Sequence, residues 1–141
     1  MELKFLDANP ILRLLTQDQP AQSAAARLLF EQVSSGNLQV TTSESIIVEV
    51  VQVLSSKVLY NIPRHEIQRD LNVILALKGL RLAAKRSYRR ALELYASSNV
   101  DFVDALTVAQ MERQRIKTIL SFVRDFDRFP SVVREAPTSD R

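Results

Sequence analysis

Short apolar segments alternate with longer helical segments along this chain, and that alternation limits the folds open to it. The strand candidates are residues 3–6, 38–41, 80–82, 118–121 and 132–133. The helix candidates are residues 10–16, 20–35, 43–58, 63–77, 84–97 and 102–113. Alternating strands and helices form right-handed βαβ units around a parallel sheet that helices cover on both faces. The chain has only two glycines, which argues against a β-rich fold built on tight turns.

The length of 141 residues predicts one domain, residues 1–135, followed by a flexible tail at residues 136–141. No apolar run reaches the roughly 20 residues of a membrane span, and the N-terminus is charged too early for a signal peptide. The absence of cysteine excludes disulfides and thiolate chemistry, and it fits a cytoplasmic protein. The single histidine, His65, leaves no partner for a histidine metal cluster. The net charge of +3 permits an anionic partner such as nucleic acid.

Two aspartates, Asp101 and Asp104, lie three residues apart inside an otherwise apolar segment. At this spacing they share one face of a helix, where like charges repel and burial of a carboxylate costs free energy. A divalent cation such as Mg²⁺, which proteins hold with one or two carboxylates, would offset that cost. Alternatively, Asp101 is the N-cap of a helix that begins at Phe102, and Asp104 is the acidic residue of a capping box.

Three further acids follow predicted strands or interrupt an apolar helix. Asp7 ends the first strand, Glu49 interrupts the apolar helix, and Asp125 follows the strand at residues 118–121. Because ligands of parallel sheets bind beyond the carboxyl ends of the strands, we expect these acids to gather at one edge. Each has an ordinary alternative: a helix cap for Asp7, a solvent-exposed or arginine-paired side chain for Glu49, and a loop or cap residue for Asp125. No glycine-rich phosphate loop is present, which argues against nucleotide binding of that type.

Four segments, taken in order, resemble the PIN domain family and within it the VapC-like ribonuclease toxins. They are Phe5-Leu6-Asp7-Ala8-Asn9 with Ile11-Leu12-Arg13-Leu14-Leu15, Ser45-Ile46-Ile47-Val48-Glu49-Val50-Val51, Asp101-Phe102-Val103-Asp104-Ala105-Leu106, and Ile119-Leu120-Ser121-Phe122-Val123-Arg124-Asp125-Phe126-Asp127-Arg128. Their order and spacing match across about residues 3–135. The resemblance implies a three-layer α/β/α sandwich whose central, mostly parallel sheet has about four or five strands. It also implies an acidic Mg²⁺ or Mn²⁺ site that cleaves RNA.

The resemblance implies a role for each matching acid. Asp7 and Asp104 would hold the metal, and Glu49 would hold or deprotonate the attacking water. Asp125 would be the fourth catalytic acid. Three other matching positions would support the site: Asp101, Ser121 and Asn9.

The chain departs from the family pattern at two positions. Many relatives have Ser/Thr-Phe-Asp in the fourth segment, where this chain has Val123 in place of the aspartate. Asp125, two residues later, is the acid that remains there. Ala8 replaces a common threonine and removes a hydroxyl near the metal position. These departures imply a site that is either completed by Asp125 or weakened.

Basic residues are the candidates for substrate contact. Arg13 and Arg124 lie nearest the acids in sequence and are predicted to bind phosphate, with a surface ion pair as the alternative for each. The densest basic segment is residues 85–90, which could follow an RNA backbone while Tyr88 stacks on a base. The alternative for that segment is a solvated helix face or a protein-binding surface.

The sequence therefore predicts a metal-dependent endoribonuclease, and the resemblance implies the toxin of a type II toxin–antitoxin pair. The implied partners are an RNA substrate, a cognate antitoxin protein and a second copy of the chain, with no membrane association. The alternative, favoured by Val123, is a catalytically weak PIN-like module that binds RNA or protein. A third interpretation is an α/β interaction domain in which the acids only cap helices.

Overall fold

A computed structural model describes residues 1–139 of the chain. The chain divides into two compact units, Met1–Lys85 and Arg86–Arg141. Of the predicted tail, residues 136–139 contain no helix or strand, and residues 140 and 141 lie outside the described residues. No helix within residues 1–139 is long and apolar enough to cross a bilayer.

The first unit contains two strands and four helices. In chain order they are β1 (Leu3–Phe5), α1 (Ala8–Thr16), α2 (Pro20–Ser35), β2 (Gln39–Thr41), α3 (Glu44–Ser55) and α4 (Arg64–Leu75). β1 pairs in parallel with β2, and Val40 of β2 also forms a parallel bridge to Leu80. Its core includes Val33, Val50 and Ile67, one from each of α2, α3 and α4, and all three are fully buried.

The second unit contains two helices, a 3₁₀ helix and two strands. They are α5 (Lys85–Ser97), α6 (Phe102–Gln114), β3 (Thr118–Leu120), the 3₁₀ helix (Arg124–Arg128) and β4 (Val133–Glu135). β3 and β4 pair in parallel, with Ile119 opposite Arg134. Leu92 of α5 and Val108 of α6 are fully buried in the core.

The α/β class predicted from the sequence is confirmed, and the strand pairs of residues 1–139 are parallel. The sheets are shorter than the predicted sheet of about four or five strands. The observed pairs are β1 with β2 and β3 with β4, and the candidate at residues 80–82 is reduced to the bridge at Leu80. Each strand has three residues, so helix packing provides most of the buried apolar surface.

Two helix starts show how local signals act in this chain. Ser43 caps α3 as its sequence suggests, because its Oγ accepts a hydrogen bond of 3.3 Å from the backbone N–H of Ile46. The predicted start of α1 at residue 10, which would make Asn9 its cap, is wrong: the helix begins at Ala8, and Asp7 is the N-cap. Pro10 is thereby placed in the first turn, where its missing N–H costs no helical hydrogen bond.

Gly79 lies where three backbone segments approach closely. Its N–H donates a 2.8 Å hydrogen bond to the carbonyl of Val33, and its carbonyl accepts one of 2.8 Å from the N–H of Val40. A Cβ at this position would lie 2.2 Å from the carbonyl oxygen of Leu38. Glycine is therefore required here for the end of α2 and the start of β2 to pack against residues 79–80.

Candidate active site

Three of the predicted acids lie in the second unit and interact electrostatically. Asp101 and Asp104 lie at the start of α6, and Asp125 lies in the 3₁₀ helix. Asp104 is half-buried, whereas Asp101 is exposed. Loss of hydration raises the pKa of Asp104 above its ordinary value, and the negative charges of Asp101 and Asp125 raise it further. The unit therefore holds a carboxylate whose ionised form is disfavoured by its surroundings.

Asp101 and Asp104 occupy the positions of a capping box, but the capping hydrogen bond of Asp101 is not made. Asp101 is the N-cap of α6, with φ −65° and ψ 150°, yet its side chain makes no capping hydrogen bond. Asp104 occupies the third helical position, as a capping box requires. Neither carboxylate has a hydrogen-bond or ion-pair partner among residues 1–139. Both side chains remain available to bind an external cation or hydrogen-bond donor.

Asp7 repeats this arrangement in the first unit. It is the N-cap of α1, with φ −81° and ψ 169°, and its exposed side chain also makes no capping hydrogen bond. Glu49 lies in α3 and is exposed, although its neighbour Val50 is fully buried. Asn9, in the first turn of α1, is exposed and lines a shallow cleft between α1 and α2. The carboxylate of Asp7 is thus exposed at the N-cap position without making the capping hydrogen bond. Glu49 is exposed, as its ordinary alternative of a solvent-facing side chain allows.

The loop before Asp125 is held by hydrogen bonds on either side. The Ser121 Oγ accepts a 2.9 Å hydrogen bond from the N–H of Val123, which folds the backbone into a tight turn. Arg134 donates to the carbonyl of Ser121 at 3.1 Å and to the carboxylate of Asp127 at 3.0 Å. Within residues 1–139, Asp125 has a long ion pair, 3.9 Å, with Arg128. Ser121 therefore supports this segment by shaping its backbone, and Val123 exposes an apolar side chain there.

The two predicted phosphate-binding arginines differ in their surroundings. Arg13 forms a 2.6 Å ion pair with Asp18, and only 14% of its side chain is exposed. The hydroxyl of Tyr60 donates a 2.6 Å hydrogen bond to the same carboxylate and, with the other contacts, lowers the pKa of Asp18. Arg13 thus follows its alternative, an ion pair, and joins the α1–α2 turn to the loop after α3. Arg124 is exposed and has no ion pair with the described part of the chain.

The basic segment at residues 85–90 is only partly available to a ligand. Tyr88 is buried, with 8% of its surface exposed, so the prediction that it stacks on a base is wrong. Arg90 donates through Nε to Glu112 at 2.8 Å and also pairs with Glu93. The periodicity of α5 turns Tyr88 inward and places Arg90 beside Glu112 and Glu93, whereas Arg86 and Arg89 are exposed.

The pKa of Asp104 predicts how the stability of the metal-free protein varies with pH. Because its pKa is higher in the folded state, its stabilising contribution is fully present below the unfolded pKa and is lost as pH rises through the raised value. We therefore expect Asp104→Asn to gain melting temperature relative to the parent as pH increases from about 4 to 7. Thermal melts in a chelator would measure this difference. Parallel melting curves for the two proteins across that range would contradict the expectation.

Among residues 1–139 no group of three or more histidine, cysteine, aspartate or glutamate side chains is arranged to hold a metal ion.

Comparison with known proteins decides the family. A family model for the PIN domain matches residues 4–132, which is most of the chain. The chain belongs to the PIN domain family. This PIN domain protein is also similar to a protein described as VapC ribonuclease from Aquifex aeolicus (strain VF5), with 26% identity over 124 residues. The aligned region covers 88% of this chain and 90% of that relative. The family membership agrees with the α/β class and with the resemblance found in the four acidic segments.

Proposed function

We propose that this PIN domain protein is a metal-dependent endoribonuclease that cleaves RNA phosphodiester bonds. The observation that carries the proposal is the half-buried carboxylate of Asp104, which lacks a cation or hydrogen-bond donor among residues 1–139 and lies near two other acids. A protein gains no stability from such a group, so a functional reason for it is expected. The similarity to a VapC ribonuclease supports RNA as the substrate class.

The acids fit a hard divalent cation. Mg²⁺ and Mn²⁺ prefer oxygen ligands and are commonly held by one or two carboxylates together with substrate phosphates. Asp104 and Asp7 are the residues proposed to bind the ion, and Asp101 and Asp125 add negative charge. All four side chains are carboxylates, and Asp7 and Asp101 leave their capping hydrogen bonds unmade. When bound, the cation would supply positive charge to the developing anion of the phosphodiester and would lower the pKa of a coordinated water.

The side chains have separate proposed tasks in the reaction. Glu49 accepts the proton of the attacking water, which requires its carboxylate to be ionised. Asp7 and Asp104 would hold the cation, which would supply positive charge at the phosphate of the substrate. Arg124, exposed in the segment that precedes Asp125, binds a phosphate oxygen of the substrate. Ser121 keeps that segment folded and has no direct part in the chemistry.

We further propose that the protein is the toxin of a type II toxin–antitoxin pair, acts in the cytoplasm and forms a homodimer. The support is the similarity to the VapC ribonuclease of Aquifex aeolicus. Expression of the chain alone should stop growth, and co-expression of a small protein encoded beside it should restore growth. Normal growth on expression of an RNA-cleaving protein would oppose the toxin role without affecting the nuclease proposal.

The alternative is a catalytically weak PIN module that binds RNA or protein. The specific observation in its favour is the fourth segment, where Val123 is 47% exposed without a carboxylate and Asp125 is drawn toward Arg128. In this case the protein would bind RNA but would not cleave it in the presence of any divalent cation.

Metal titration tests the proposed site directly. A ligand that binds only the folded state at about 100 times its Kd stabilises by about 2.7 kcal/mol, so Mg²⁺ or Mn²⁺ should raise the melting temperature by several degrees. The rise should be lost in Asp104→Asn and kept in Glu31→Gln, which removes one exposed carboxylate from α2. Equal metal-induced shifts in both variants would refute Asp104 as a ligand.

A further inference from the structure

Helices α5 and α6 of the second unit run in opposite directions, and this brings the beginning of one beside the end of the other. At one end of the pair, the ring of Tyr95 meets the ring of Phe102 edge-on at 5.7 Å. Toward the other end, the Nε of Arg90 donates a 2.8 Å hydrogen bond to Glu112. The first turns of α5 therefore lie at the same end of the unit as the last turn of α6.

Five basic side chains gather at this end, and we call them the basic end. Each is exposed, and none has a hydrogen bond or ion pair with the residues that the structure describes. They are Arg86 and Arg89 in α5, Arg113 in the last turn of α6, and Arg115 and Lys117 beyond it. Because α6 has 13 residues and a helix rises 1.5 Å per residue, the last residue of α6 lies about 20 Å along the helix from Asp101, and Arg113 lies about 14 Å from Asp104.

Arg115 has a left-handed backbone conformation, which glycine adopts at lower cost. It is the C-cap of α6 and has φ 60° and ψ 36°, in the left-handed region where glycine is favoured. The turn is otherwise well made, since the N–H of Ile116 donates a 2.9 Å hydrogen bond to the carbonyl of Met111. An exposed arginine here costs backbone strain that its own contacts with the described residues do not offset, which points to a role for its charge.

We propose that the basic end is a docking surface for the phosphate backbone of structured RNA, at the opposite end of α6 from Asp101. This inference rests on the proposed ribonuclease function and adds a second contact between enzyme and substrate. The five cations have no ion-pair partner among the described residues, and a polyanion that pairs with them would release its counterions.

The composition of the surface favours nucleic acid over protein. Within residues 112–118, the stretch that carries three of the five cations, Ile116 is the one large apolar side chain that is exposed. Protein interfaces, by contrast, have a centre of apolar and aromatic side chains. Nucleic-acid interfaces are more polar and much more positively charged, as this surface is. Phosphate contacts of this kind position an RNA without reading its bases.

The consequence for catalysis is a separation of binding from chemistry. Contacts far from the scissile bond are the same in the ground state and the transition state, so losing them raises KM more than it lowers kcat. The acids should behave in the opposite way, because their contribution is made in the transition state.

The test compares three full-length proteins for binding to a labelled RNA hairpin of about 20 base pairs, in chelator so that no cleavage occurs. The first is the parent chain, and the second carries Arg113→Gln, Arg115→Gln and Lys117→Gln. The third, a matched control, carries Arg27→Gln, Lys57→Gln and Arg81→Gln, three exposed cations of the first unit. We expect the second protein to bind about tenfold or more weakly and its salt dependence to fall by about 0.7–0.9 per lost phosphate contact. The control should bind like the parent.

A single variant separates this role from a structural one. Arg115→Gly should raise the melting temperature by about 3 °C, since glycine relieves the left-handed strain, and should still weaken binding to the hairpin. Steady-state cleavage of the hairpin by the triple variant should show a raised KM with a much smaller change in kcat.

The outcomes distinguish this proposal from the nuclease proposal. Parent-like binding by the triple variant would overturn the docking surface, as would equal losses in the variant and the control. Equally tight binding of poly-glutamate at matched charge would also overturn it, because the surface would then suit an acidic protein. A protein that binds the hairpin through the basic end and cleaves no RNA would refute the nuclease proposal and leave the docking surface supported.

Discussion

Asp104→Asn is expected to reduce RNA cleavage by about 10²–10³ without lowering the stability of the protein. The amide keeps the shape of the side chain but removes the charge that the cation needs. In the metal-free protein that charge is unfavourable, because its hydration is reduced and Asp101 and Asp125 repel it. The variant should therefore melt at the same temperature as the parent or slightly higher at pH 7. Activity and stability are expected to change in opposite directions.

A loss of cleavage without a loss of stability distinguishes a functional aspartate from a structural one. Replacement of a capping aspartate by alanine, which cannot accept the capping hydrogen bond, would cost about 0.5–2 kcal/mol of stability, with no specific effect on cleavage. Glu93→Gln is the matched control, since it changes an exposed glutamate that pairs with Arg90. The control should retain full cleavage. Gel assays of cleavage and thermal melts on the same preparations would measure both quantities, and unchanged cleavage in Asp104→Asn would remove the residue from the proposed site.

Asp7→Asn is the second large effect that we expect, again a loss of about 10²–10³ in RNA cleavage. Its position at the N-cap of α1 makes the comparison with a true cap informative. Asp7 makes no capping hydrogen bond, so the melting temperature should change little. Ser43 does cap α3, and Ser43→Ala should lower stability by about 1 kcal/mol.

The two variants should therefore give opposite patterns: Asp7→Asn inactive and stable, Ser43→Ala active and less stable. Cleavage rates measured at a temperature where both proteins are fully folded would show it. If Asp7→Ala, which cannot accept a capping hydrogen bond, cleaves RNA like the parent while losing stability, Asp7 is a cap and the proposed site loses one of its two metal-binding residues.

The order of helices and strands could be predicted from the sequence because it rests on local signals. Ser43 before an apolar run indicated the start of α3 despite its β-branched residues, and the structure confirms that cap. The start of α1 was misplaced by two residues because Asn9-Pro10 and Asp7 are both acceptable caps, and local preference does not rank them. The number of strands that pair could not be predicted from the sequence either, since strand pairing depends on contacts between distant segments.

The surroundings of charged side chains were the least predictable part of the candidate site. Arg13 is held by Asp18 and Tyr60, and the latter lies 42 residues away from that aspartate in sequence. The run of basic residues at 85–90 suggests that Tyr88 is available to stack on a base, but the helix buries its side chain. The cations at the end of α6 and beyond it give only a weak sequence signal, because Arg113, Arg115 and Lys117 alternate with other residues. The sequence shows them as a basic cluster at the end of a predicted helix. It does not show that the antiparallel arrangement of α5 and α6 brings Arg86 and Arg89 to the same end.

Cleavage of a mixed RNA pool by the purified protein, with Mg²⁺ and with chelator, tests the central claim most directly. We predict defined cleavage products with Mg²⁺ or Mn²⁺, none with chelator, and none from Asp7→Asn or Asp104→Asn prepared in the same way. Cleavage that persists in chelator or in both variants would contradict the claim that these carboxylates form a metal-dependent ribonuclease site. Binding of RNA without cleavage under every metal condition would contradict it equally and would favour the weak RNA-binding module.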